Sequence, residues 1–142
     1  MKEKTIIGRR EMANLPDFGL YNVAVKIDTG AYTSSIHVKS CKEITRENVK
    51  MLAVVFLDES YPAYNHKEFL FSTYRLKKVK SSTGQEQLRF FVKGSIEVGG
   101  RIIKTEFSLT QRKGMKYPIL LGRKVLNKKF IVDTEFVNTS KK

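Results

Sequence analysis

The sequence predicts a mainly β protein, and three observations carry that prediction. Seven runs are rich in β-branched or aromatic residues: YNVAVKI, SSIHVKS, MLAVVFLD, KEFLFSTY, LRFFVKGSIEV, RIIKTEFSLT and FIVDTEFV. That is the composition of strands. Turn chemistry separates the runs, most clearly at Gly99-Gly100 between SIEV and RIIK, where two glycines supply the positive φ angles of a tight hairpin. Helix signals are few.

Taken in chain order, YNVAVKI alternates apolar and polar residues up to Asp28, and SSIHVKS resumes the alternation after a Thr-Gly-Ala step. TRENVKML then predicts a short helix from Thr45, with Thr45 as its cap. MLAVVFLD and KEFLFSTY read as further strands. YRLKKVK and QEQLRFF are polar, alternating arms of a second hairpin with Ser81, Ser82, Thr83 and Gly84 at its tip. Such a ribbon projects from the body with both faces partly wet. After the Gly-Gly hairpin, YPILL is an apolar strand that runs into Gly122-Arg123, and GRKVLNKK predicts one short helix. No internal repeat, low-complexity tract or linker interrupts the 142 residues, so 1–142 reads as a single domain.

Charge is the strongest compositional signal. Lys and Arg number 27 against 14 Asp and Glu, a formal +13 that exceeds what solubility requires. An acidic partner is implied: nucleic acid, an anionic membrane surface or an acidic polypeptide, with a merely solvated basic surface as the bland alternative. The blocks LKKVK, NKKF and SKK are short and scattered rather than massed. A single cysteine, Cys41, excludes an internal disulfide and suits a reducing compartment, where a structural role is expected of it. No run approaches the ~18 to 20 apolar residues of a membrane helix, and MKEKTIIGRREM lacks the apolar core of a secretory signal. The expected location is the cytoplasm.

Asp28 raises the chemical question. An ionised carboxylate at the end of an apolar strand is costly to bury without a partner. Two carboxyls sharing one proton reduce that cost and place one acid and one base at the same site. Such a dyad activates a water while protonating a carbonyl oxygen, which hydrolyses a peptide bond without metal or covalent intermediate. Thr29 offers a hydroxyl, and Gly30 removes a Cβ where another segment must come close. The competing reading is an Asp-Thr-Gly turn whose Asp simply bonds its own backbone.

KIDTGAYTS followed by ILLGRKVL, in a mainly β chain with a long polar hairpin between them, resembles the retropepsin family of aspartic proteases. The resemblance is closer to the cellular branch catalogued as "ATP-dependent zinc proteases". It runs through IGRREMANLPDFGL, AVKIDTGAYTSSIHV, VKSSTG, SLTQRKGMKYPILLGRKVL and FIVDTEF, nearly the whole chain. It implies a closed acid-protease β-barrel with a flap hairpin and one short C-terminal helix. It also implies Asp28 as the catalytic carboxylate, Thr29 as the lock between paired loops, Gly30 as backbone contact to substrate and Ala31 as part of the same loop. Ser81, Ser82, Thr83 and Gly84 would form the flap tip, and Gly122-Arg123 would brace the active-site loop.

A retropepsin chain carries one catalytic Asp, so the site requires a symmetric homodimer. The near copy Asp133-Thr134-Glu135 has Glu where the loop needs Gly and reads as a strand end. Viral members carry an acid four residues after the catalytic Asp to pair with the helix Arg, whereas this chain has Tyr32. Arg123 therefore needs another partner, and Glu11 is the expected one.

Neither half of the catalogue label suits the residues. His37, His66 and Cys41 are the only nitrogen and sulfur donors for zinc, there is no His-Glu-x-x-His, and His37 reads as a packed or surface residue. GSIEVGGR has Gly100-Arg101 where a phosphate loop needs Lys-Ser/Thr. No metal or cofactor is expected. The resemblance thus implies an aspartic endopeptidase that partners with itself, and with the basic charge it points to an acidic or glutamate-rich protein segment as substrate. The rival is a non-catalytic basic β domain that holds nucleic acid or an acidic protein. Its weak point is Phe90-Phe91, since adjacent strand residues point to opposite faces and packing accounts for both.

Overall fold

The computed structural model describes residues 3–80, 83–111 and 114–138. Eleven strands and one helix appear in the order β1 (Thr5–Ile7), β2 (Arg10–Leu15), β3 (Leu20–Ile27), β4 (Ser34–Arg46), β5 (Val49–Phe56), β6 (Glu68–Phe71), β7 (Arg75–Lys80), β8 (Glu86–Val98), β9 (Arg101–Thr110), β10 (Ile119–Leu121), α1 (Arg123–Leu126) and β11 (Phe130–Val132). A single 3-10 turn, Pro16–Phe18, links β2 to β3.

The main sheet runs β10-β3-β2-β8-β9-β4-β5-β6, and β10 also pairs with β4. That second pairing closes the ring β3-β2-β8-β9-β4-β10, the barrel that the sequence implies. Strand β10 is its seam. It lies parallel to β3, with Leu121 opposite Ile27, and antiparallel to β4, with Ile119 opposite Ile36. Alternation explains why these segments fit: Val23, Val25 and Ile27 turn inward from β3, and Ile119 and Leu121 turn inward from β10. Inside, the Phe18 ring stacks on Phe56 at 4.3 Å and meets Phe71 and Phe107 edge-on. Gly94 makes room for it, since a Cβ there would sit 2.5 Å from the Phe18 ring.

The Gly99-Gly100 hairpin forms as expected, with φ of +59° and +75° and Val98 opposite Arg101. The second hairpin, β7 with β8, runs from Arg75 opposite Phe91 to Lys80 opposite Glu86. Two expectations fail. Thr45 to Leu52 forms no helix: Glu47 and Asn48 take positive φ (50° and 65°) and turn β4 into β5, with Arg46 opposite Val49. The long apolar ladder between Val38 and Phe56 outweighs the weak helical signal of those polar residues. FIVDTEFV is not one strand either, because β11 stops at Val132, residues 134 and 135 turn, and Val137 makes an isolated bridge to Arg10. The helix after Gly122 is shorter than predicted, and strands β1 and β2 carry no signal among the seven runs.

Candidate active site

Asp28 leaves the barrel at the end of β3. Its N–H donates to the Leu121 carbonyl of β10 at 2.8 Å, so the seam strand fixes where the loop begins. Its carbonyl accepts the Ala31 N–H at 3.3 Å, and its Oδ1 accepts the Gly30 N–H at 3.0 Å. Asp28 and Ala31 are half-buried, and Thr29 and Gly30 are exposed. Among the described residues of the single chain, a Cβ on Gly30 would meet only the Asp28 carboxylate, at 3.3 Å.

Gly122, behind the loop, is crowded. A Cβ on it would lie 2.6 Å from the Tyr32 carbonyl oxygen and 2.9 Å from that of Ala31. Its N–H donates to the buried Ser34 hydroxyl at 3.0 Å. The next two N–H groups complete the contact: Arg123 donates to Ala31 O at 2.8 Å and Lys124 to Tyr32 O at 2.9 Å. The start of α1 therefore satisfies the loop's carbonyls while the loop satisfies the orphan donors of the helix. The structure thus brings Asp28, Thr29, Gly30 and Ala31 together with Gly122 and Arg123, residues that lie far apart in sequence.

The Arg123 side chain does not pair with Glu11. Its Nη1 donates to the Thr29 carbonyl at 3.0 Å, and its guanidinium stands over the Tyr32 ring at 5.8 Å. An aromatic face and a peptide oxygen thus stand where viral relatives carry an acid. Glu11 is fully buried and accepts the Gly8 N–H at 2.7 Å, which fixes the turn between β1 and β2.

Thr83 and Gly84 sit exposed at the tip of the β7/β8 hairpin, Gly84 at φ +83°; Ser81 and Ser82 lie outside the described residues. One face of that hairpin aligns Leu76 opposite Phe90 and Lys78 opposite Leu88, leaving Leu76 and Leu88 exposed. Phe91 is buried, and Phe90 packs edge-on against Tyr74, so neither forms an open stacking platform.

His37 is a packed residue. It is buried and shares a 2.7 Å hydrogen bond with Asp58. The Ser60 hydroxyl chiefly, then the Ser60 N–H and His37, hold the Asp58 carboxyl below its ordinary value. Burial pushes the Cys41 thiol up to about 11, which suppresses thiolate chemistry at neutral pH. Among the described residues no group of three or more His, Cys, Asp or Glu is placed to hold a metal ion. No helix of the described residues is long and apolar enough to cross a membrane. A groove of about 740 Å³ is lined by Asp17, Arg75, Lys93, Lys104, Glu106 and Lys124, and Asp28 is not among its lining residues. Within it the Arg75 guanidinium forks onto Glu106, at 2.8 and 2.5 Å, and holds that carboxyl below its ordinary value.

Sequence reasoning missed Ser34, whose hydroxyl holds the Gly122 N–H, and Lys26, Arg10 and Tyr117, joined to the strand that leads to Asp28 by the Lys26–Arg10 pairing and the Arg10–Tyr117 hydrogen bond. The signal for Lys26 was present in strand parity, because it alternates with the buried Val25 and Ile27 and so faces outward.

A barrel closed through a seam strand, with an Asp-Thr-Gly loop braced by Gly-Arg, is the retropepsin-like arrangement. Residues 6–141 match the RimB-like family model, described as retropepsin-like aspartic endopeptidase RimB, and the chain belongs to that family. A protein of Shewanella pealeana named "Probable alpha-L-glutamate ligase" is 31% identical over 134 residues, which cover 92% of this chain and 28% of the relative. A Parasynechococcus marenigrum protein of the same name is 27% identical, over 95% of this chain and 29% of its own length. The chain thus spans under a third of these curated relatives. The crystal structure of Lpg0085 from Legionella pneumophila superposes with a TM-score of 0.68 at 26% identity, covering 98% of this chain and all of that one.

Proposed function

We propose that this protein is an aspartic endopeptidase that works as a homodimer, with Asp28 of each chain facing its copy across the two-fold axis. The observation that carries this reading is the Asp28 loop itself, braced from behind by Gly122 and Arg123 in a chain of the retropepsin-like family. One chain supplies one such carboxylate, since Asp133, the near copy, stands on the β1/β11 side with its N–H on the Ile7 carbonyl. In the dimer one carboxylate takes a proton from water as it attacks the peptide carbonyl, and the other, protonated, gives its proton to the carbonyl oxygen. Proton transfer to the amide nitrogen then releases the two products. Thr29 locks the paired loops, Gly30 presents its backbone to substrate, and residues 81–84 close over it, the exposed Leu76 and Leu88 giving that hairpin an apolar underside.

An acidic protein segment is the substrate this reading favours. The chain carries +13, and relatives that contain a similar region within a longer protein are named for ligation of glutamate. The lone, unreactive Cys41 accords with work in the cytoplasm. The decisive experiment is Asp28→Asn, with cleavage of a glutamate-rich peptide followed by mass spectrometry and the oligomer followed by sedimentation. Cleavage should vanish while the dimer persists, and undiminished cleavage would overturn the assignment.

A further inference from the structure

Two cations, Lys26 and Arg10, stand opposite each other on the strand that leads to Asp28 and on its neighbour. Arg10 on β2, Lys26 on β3 and Leu120 on β10 are in register, so their side chains share one face of the barrel wall. Their neighbours Glu11, Val25, Ile27, Ile119 and Leu121 turn into the core. Lys26 stands two residues before Asp28, which follows directly on the last residue of β3. Arg9 joins this edge through its backbone, its carbonyl accepting the Ile27 N–H at 2.9 Å, while its guanidinium turns away to donate to the Thr134 carbonyl at 2.7 Å. Lys116 lies over the Tyr117 ring at 5.8 Å.

Four cations elsewhere do have a carboxylate partner: Lys39 pairs with Glu59, Lys50 with Glu43, Arg75 with Glu106 and Lys78 with Glu86. Among the described residues no carboxylate lies within ion-pair distance of Arg9, Arg10, Lys26 or Lys116. Arg10 is moreover held in place. Its Nη1 donates to the Tyr117 hydroxyl at 2.8 Å, while its buried Nε has no hydrogen-bond partner. That hydrogen bond, helped by the charges of Arg10, Lys116 and Arg9, keeps the Tyr117 phenol below its ordinary value. A half-buried guanidinium fixed by a tyrosine has already lost much of its conformational freedom, so little remains to be lost when an anion binds.

We propose that this wall is a specificity subsite that reads an acidic side chain, aspartate or glutamate, flanking the scissile bond, with Arg10 and Lys26 as its anion-binding residues and Tyr117 positioning Arg10. The proposal rests on the peptidase reading for its reaction and adds to it where along an acidic segment the charge must fall. A carboxylate placed there accepts charge-assisted hydrogen bonds that its amide isostere cannot match.

The test uses two fluorescent peptides identical except for Glu or Gln beside the cleaved bond. With wild-type protein, kcat/KM should favour the Glu peptide by about tenfold or more, the scale of one charge-assisted hydrogen bond. Lys26→Glu and Arg10→Gln should each bring that ratio close to one, whatever happens to the absolute rate. Tyr117→Phe, which leaves Arg10 unpinned, should reduce the ratio part of the way. In parallel, fluorescence anisotropy on the Asp28→Asn protein measures binding without turnover, and the same Glu preference should appear and fall when Lys26→Glu is added. Cleavage without Glu preference, or a preference untouched by both substitutions, would overturn the subsite and leave the peptidase standing. Binding preference without any cleavage by the wild type would support the subsite and sink the peptidase reading. Binding of a labelled uridine homopolymer that Lys26→Glu abolishes and the Glu peptide does not displace would assign the wall to phosphate and overturn the proposal.

Discussion

Asp28, Asp58 and Asp133 each follow an apolar run, and each makes the same local bond. Their carboxylates accept the backbone N–H two residues on: Gly30 at 3.0 Å, Ser60 at 2.8 Å and Glu135 at 3.0 Å. Their surroundings then diverge. Asp58 gives its second oxygen to buried His37 and also takes the Ser60 hydroxyl. Asp133 starts a surface turn whose end carries Phe136 onto Gly8. Asp28 alone sits against the seam strand and the start of α1, with Gly122 in backbone contact behind the loop. An Asx turn is what an aspartate does locally at a strand end. It does not compete with a chemical role, because the backbone bond leaves acceptor capacity on the carboxylate for other partners.

The comparison breaks most decisively at the first of the three. Asp28→Asn should lower cleavage on the order of 10³-fold, within the range for removing a general acid or base, as read by peptide turnover. The brace comes next. Gly122→Ala places a methyl against two backbone carbonyls that cannot swing aside, and urea unfolding should show a loss of roughly 1–3 kcal/mol. Asp58→Asn should cost on the order of 1 kcal/mol at neutral pH. Its pH signature sharpens the contrast: the lowered carboxyl contributes stability above its unfolded value of about 4 and loses it as pH falls through the folded one. Urea midpoints of the wild type should therefore drop on acidification more steeply than those of Asp58→Asn. Arg123→Ala loses the bond to Thr29 O and the contact with the Tyr32 ring, both exposed, and should cost about 1 kcal/mol with a larger fall in turnover than in stability. The smallest effect belongs to Asp133→Asn, which keeps an acceptor for Glu135 and should change melting by less than about 0.5 kcal/mol.

Where the chain's own pattern was strong, the fold was legible. β9 appears over Arg101–Thr110 as its run suggested, and Gly99-Gly100 turns as two glycines between strands should. Weak or mixed patterns misled. TRENVKML has a capping threonine and helical spacing, yet its pairing partners across β4 and β5 decided its state. Strand β1, TII, is very short and β2, REMANL, opens on two charged residues, and they pair with β11 and β3. The partner of Arg123 could not be read at all. A guanidinium accepts a carboxylate, a carbonyl or a ring face as company, and only the folded chain selects among them.

By itself, the sequence determined the class: period-2 alternation, turn glycines and an Asp-Thr-Gly paired with Leu-Gly-Arg leave one kind of barrel, because side-chain parity fixes which residues can face a core. Tertiary structure decided the rest. Closure of the ring through β10, the clash that reserves Gly122, and the lining up of Arg10 with Lys26 on the strand that leads to Asp28 all join residues distant in the chain. Local propensity is silent on such contacts, since their energy exists only once the strands have paired.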